Sequence, residues 1–75
     1  MTNINLDLER VKGEPPWCSV TINGITEVYE ECNLFDGDRI DFYNLDRFIK
    51  RIKLNDQVNV IVSSELEKHW ENCER

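Results

Sequence analysis

The chain reads as a small α+β domain, a βββαβα arrangement in which an antiparallel meander is followed by a crossover helix, a fourth strand and a second helix. Three observations lead there. Asn3 to Val11 alternates apolar and polar residues. An Asn-Gly pair lies between two runs rich in β-branched residues. Phe42, Leu45, Phe48, Ile49 and Ile52 recur at the three- and four-residue spacing of one helix face.

In the first segment Ile4, Leu6 and Leu8 fall on one face and Asn5, Asp7 and Glu9 on the other, the period of a half-buried strand. Lys12-Gly13-Glu14-Pro15-Pro16 ends it, because proline cannot donate to a ladder and glycine relaxes the backbone. Trp17 to Ile22, Asn23-Gly24 and Ile25 to Tyr29 then make a hairpin, since Asn-Gly suits both positive-φ positions of a type I′ turn. The two-residue turn fixes the register: Ile22 opposite Ile25, Thr21 opposite Thr26, Val20 opposite Glu27, Cys18 opposite Tyr29. In that register Cys18 and Cys32 fall on different parities and point to opposite faces, so a disulfide between them requires a bulge.

Asp36-Gly37 is compatible with a second hairpin whose return strand is Arg39 to Phe42, or with a loop running into the helix. The loop is preferred, with Asp38 or Asp41 capping a helix that carries the apolar stripe to Ile52, and Asn44 as cap if Ile40 and Phe42 are extended. Arg47, Lys50, Arg51 and Lys53 then complement the negative end of its dipole. Val58, Val60 and Val62 share one face of the next strand. Ser64-Glu65-Leu66-Glu67 has the serine and glutamate of a capping box, starting a helix with Leu66, Trp70 and Cys73 at helical spacing. A crossover makes the last strand parallel to the first, with strand order 4-1-2-3 and both helices over one face.

Seventy-five residues hold one domain, residues 1–75, with one modest core. Fifteen acidic against nine basic residues give a net charge of −6, which disfavours direct contact with nucleic acid or anionic lipid and favours a basic partner. No apolar run is long enough for a membrane span. The N-terminus lacks the basic start and apolar block of a secretory signal, and three cysteines, an odd number, fit free thiols, so a cytoplasmic protein is expected.

Six acids, Glu27, Glu30, Glu31, Asp36, Asp38 and Asp41, stand between residues 27 and 41 against one base, Arg39. Such a cluster presents a field able to engage an arginine- and lysine-lined surface. Trp17, on the more polar face of the hairpin, is the candidate exposed anchor beside it. Cys18, Cys32, His69 and Cys73 can be written as four zinc ligands, but no Cys-x2-Cys knuckle supports them, so no metal or cofactor is expected. Asp36-Gly37-Asp38 lacks the downstream glutamate of a calcium loop.

No nucleophile with a base and an orienting third group is evident, nor a phosphate-cradling glycine loop, so the expected class is not an enzyme. The expectation is a small acidic inhibitor that binds another protein, as monomer or homodimer, and occludes a basic, nucleic-acid-binding surface. Phage-encoded anti-defence proteins, anti-CRISPRs included, and immunity proteins against nuclease toxins share this size and charge; such a protein acts in the host cytoplasm if phage-encoded. The alternative is a dimeric or zinc-stabilised accessory domain that completes a larger assembly.

Overall fold

The computed structural model of the chain describes residues 2–10, 12, 16–35 and 37–73, the side chain of Cys73 excepted. The expected turn at Gly13, Glu14 and Pro15 and the acid Asp36 lie outside the described residues. Among the described residues seven strands precede a single helix: β1 (Thr2–Glu9), β2 (Trp17–Ile22), β3 (Ile25–Tyr29), β4 (Glu31–Phe35), β5 (Arg39–Asn44), β6 (Arg47–Lys53), β7 (Val58–Val62) and α1 (Ser64–Cys73). They form a four-stranded sheet in the order β3-β2-β1-β7 and a three-stranded sheet in the order β4-β5-β6. The molecule is thus a mostly-sheet α+β domain.

The first sheet follows from the sequence pattern. Along β1 the alternation buries Ile4 and Leu6 and leaves Asn3, Asn5 and Asp7 in solvent. The β2–β3 hairpin turns at Asn23 (φ 52°) and Gly24 (φ 81°), and its register pairs Ile22 with Ile25, Val20 with Glu27 and Cys18 with Tyr29. β7 lies parallel to β1, with Ile4 beside Val60 and Leu6 beside Val62. The Ser63 N–H continues that ladder to the Leu6 carbonyl at 3.0 Å. This is the expected order 4-1-2-3, with the last strand beside the first.

The crossover itself is corrected. Residues 45–53 form no helix: Leu45 and Asp46 make a tight turn, and Arg47–Lys53 returns as β6. The crossover from β3 to β7 is a complete second sheet. A hairpin rather than a loop follows β4, with Gly37 at φ 72° and the Asp38 N–H donating to the Phe35 carbonyl at 2.9 Å. Arg47, Lys50, Arg51 and Lys53 therefore complement no helix dipole, and neither Asp38 nor Asp41 caps a helix. Only one helix exists among the described residues, and it caps the domain by burying Leu66, with Trp70 packed partly against the core. Its N-cap is Ser63, one residue before the expected serine; the Ser63 hydroxyl accepts the Leu66 N–H at 3.2 Å.

The core lies between the sheets: Ile4, Leu6, Val20, Tyr29, Ile40, Phe42 and Leu66, with Cys18 and Cys32. Burying a large aliphatic or aromatic side chain of this kind contributes about 1.5–3 kcal/mol. Tyr29 and Phe42 join the sheets by ring contact, centroids 4.8 Å apart. Cys18 and Cys32 are bonded to each other with Cα atoms 6.3 Å apart, which corrects the expectation of free thiols on opposite faces. That expectation carried the parity of the β2–β3 register on to residue 32. The chain instead bends at Glu30 and changes sheet, so the alternation restarts and Cys32 turns inward. The thiol argument for a reducing compartment falls with it. No helix among the described residues is long and apolar enough to cross a membrane.

Candidate functional site

The acids expected to form one patch are distributed over three places. Glu27, Glu30 and Glu31 gather where β3 passes into β4, beside the β5–β6 turn. Asp38 sits at the opposite end of β5, roughly 17 Å away at about 3.3 Å per residue. Asp41, midway, has a side chain only 2% exposed and is withdrawn from any partner contact, which corrects its assignment to the binding surface.

Asp41 is held on the outer face of the second sheet by two arginines. Arg51 donates from Nε at 2.8 Å and from its terminal nitrogen at 3.2 Å, and Arg39 donates from Nε at 3.3 Å. The carboxylate is covered by these guanidinium groups, whose own ends reach solvent. Its pKa is lowered, first by the Arg51 hydrogen bonds and then by Arg39, against the opposing effect of burial. The arginines in turn lie over aromatic rings, Arg39 at 3.9 Å from the centroid of Phe35 and Arg51 at 5.3 Å from that of Phe48.

Glu27 reaches across the gap between the sheets. Lys50 donates to its carboxylate at 2.8 Å and the Tyr29 hydroxyl donates at 3.0 Å. The Lys50 hydrogen bond lowers the Glu27 pKa and raises that of Lys50; burial first, then Glu27, raises that of Tyr29.

Glu30 holds the hairpin tip. Its N–H donates to the Asn44 side-chain carbonyl at 2.8 Å, and its carboxylate accepts the Leu45 N–H at 3.0 Å. Leu45 has φ 52° and Asp46 φ 62°, the left-handed pair of a type I′ turn, occupied here without glycine. A leucine in that conformation is costly, and this one is 78% exposed. Phe48 and Ile49 follow at 51% and 46% exposure. Ile49 is the extra residue of a bulge opposite Phe42 and Tyr43. Phe48 stands edge-on to Tyr43.

The structure thus brings together Glu27, Glu30 and Glu31 with a group the sequence did not single out as exposed: Leu45, Phe48 and Ile49, with Asp46 in the turn. A local signal existed in Asn44-Leu45-Asp46, where Asn and Asp both tolerate tight turns. Trp17 keeps its expected place on the outer face of the first sheet with Ser19 and Thr21, but is half-buried there, opposite Glu9. The zinc set does not assemble, because Cys18 and Cys32 are consumed by each other. Among the described residues no three His, Cys, Asp or Glu side chains are arranged to hold a metal ion. Compared with family models, curated proteins and solved structures, the chain matches none.

Proposed function

We propose that the protein is a non-enzymatic binding module that occludes a basic surface of another protein, and that it does so with the tip of the β5–β6 hairpin and the acids around its root. Leu45, Phe48 and Ile49 supply an apolar centre; Glu30, Glu31 and Asp46 supply an acidic rim, the usual layering of a protein interface. The observation that carries the reading is Leu45. A large apolar side chain kept in water, on a left-handed backbone pinned by a carboxylate, is costly for the isolated fold, and strain of this sort clusters where a chain makes contacts. The net charge of −6 favours a partner with a basic, nucleic-acid-handling surface. This is an inhibitor's role, as in phage anti-defence and immunity proteins.

The test is affinity capture from a lysate of the natural host. We compare the native chain with Leu45→Asn, which keeps a residue tolerant of the left-handed turn, and with Glu31→Lys. Recovery of one target should fall at least tenfold with Leu45→Asn and less with Glu31→Lys. Equal recovery by the native chain and Leu45→Asn overturns the assignment of the hairpin.

One observation favours the accessory-domain alternative. β3 is an edge strand whose Ile25 is 69% and Val28 38% exposed, while its single charge, Glu27, is engaged by Lys50. Such an edge accepts another strand, including that of a second copy. Sedimentation at increasing concentration shows a dimer if this edge is the contact.

A further inference from the structure

We infer that the Cys18–Cys32 bond governs the order of the binding hairpin, so that the protein is competent where the disulfide has formed and loses the held turn at Leu45 when it is reduced. The bond ties β2, inside the first sheet, to β4, an edge strand of the second that pairs, among the described residues, with β5 alone. It closes a ring that contains the β2–β3 hairpin and the bend at Glu30, two residues before Cys32. Glu30 is the residue that grips the far turn, by its N–H to Asn44 and its carboxylate to the Leu45 N–H. The position of the ring therefore fixes the position of the grip. Other ties near this corner include the Tyr29–Phe42 ring contact and the Glu27–Lys50 pair, the latter partly exposed and open to screening.

Reduction by a thiol or dithiol delivers two electrons to the sulfur–sulfur bond. Each sulfur takes one proton and becomes a thiol, while the reductant's sulfurs join as a disulfide. Cys18 is 3% and Cys32 1% exposed, so attack requires β4 to open first. The redox state is then set mainly when the chain folds, by the compartment in which it folds, and an oxidising one yields the ordered hairpin. The functional consequence rests on the hairpin being the contact surface; the structural consequence does not.

The experiment uses the full chain refolded in a glutathione buffer. Thiols counted in denaturant without reductant should number one per chain; three overturns the proposal. Amide hydrogen exchange then follows Leu45 and Leu6 in the oxidised chain, in the same chain reduced at equilibrium by a phosphine, and in the Cys18→Ala/Cys32→Ala variant. Loss of the bond should speed exchange at Leu45 at least tenfold and at Leu6 less than threefold. Unchanged exchange at Leu45 overturns the inference, as does equal acceleration at both sites, which is also what a reduced or substituted chain that unfolds outright would give. Exchange needs no partner, so failure of the capture experiment leaves this result standing.

Discussion

At the scale of single residues, the proposed role of Leu45 sets binding against stability. A left-handed backbone costs an L-residue about 1–2 kcal/mol. Glycine escapes that cost but gives back about 0.5–1 kcal/mol in unfolded-chain entropy. Leu45→Gly should therefore raise stability by about 0.5–1 kcal/mol, seen as a Tm a few degrees higher, while abolishing capture of the target. A lower Tm would mean that the leucine packs in the free protein and is no spare anchor. Asp41 and Glu27 predict a pH effect of definite sign. Both have folded-state pKa values below their ordinary 3.8 and 4.5. Their contribution is fully present above those ordinary values and is lost as pH falls through the lowered ones. Tm should thus decline from about pH 4.5 downward, and Asp41→Asn, which also leaves Arg39 and Arg51 without their shared carboxylate, should start lower and decline less steeply. A variant whose Tm falls with the native slope would show that the paired carboxylate does not drive acid unfolding.

At the scale of elements, the first sheet was legible because its signals are local. Alternation wrote β1, Asn-Gly wrote the β2–β3 register, and the valines wrote β7. The second sheet was misread for a physical reason. Phe42, Leu45, Phe48 and Ile52 match a helical spacing only because a turn at residues 45–46 interrupts two strands whose own alternation is short. Phe42 and Ile52 face inward, Phe48 faces outward, and Leu45 is the tip. No sequence rule places leucine at positive φ; the Glu30 carboxylate, fifteen residues away, holds it there. The same distance in sequence hid the site, since Glu30 and Leu45 meet only after the chain changes sheet. The two readings differ measurably. On a helix, Phe42, Phe48 and Ile52 would pack alike. In the hairpin, Phe42→Ala should cost about 3–5 kcal/mol, half-buried Ile52→Ala about 1–2, and Phe48→Ala under about 1. Comparable losses for Phe48 and Ile52 in denaturant unfolding would contradict β6 as a strand.

At the scale of the whole molecule, the charges divide. The helix displays Glu65, Glu67 and Glu71 and the outer face of β1 displays Asp7 and Glu9, whereas β6 carries four of the nine bases. Two of those four, Lys50 and Arg51, are matched internally by Glu27 and Asp41, so the far field of the molecule is that of its net −6. A field of this kind acts on the approach of a basic partner, over a Debye length of about 10 Å at 0.1 M salt and 3 Å at 1 M. The proposed contact itself is centred on Leu45 with acids on the rim, and rim charges change association more than dissociation. Raising salt from 50 to 500 mM should therefore slow association with the captured target by about tenfold or more and change the dissociation rate by less than about threefold. Surface plasmon resonance with the native chain measures both. A dissociation rate that carries most of the salt dependence would place ion pairs at the centre of the contact and Leu45 outside it. Affinity that rises with salt would instead mark an apolar association, and would turn attention to the bare β3 edge.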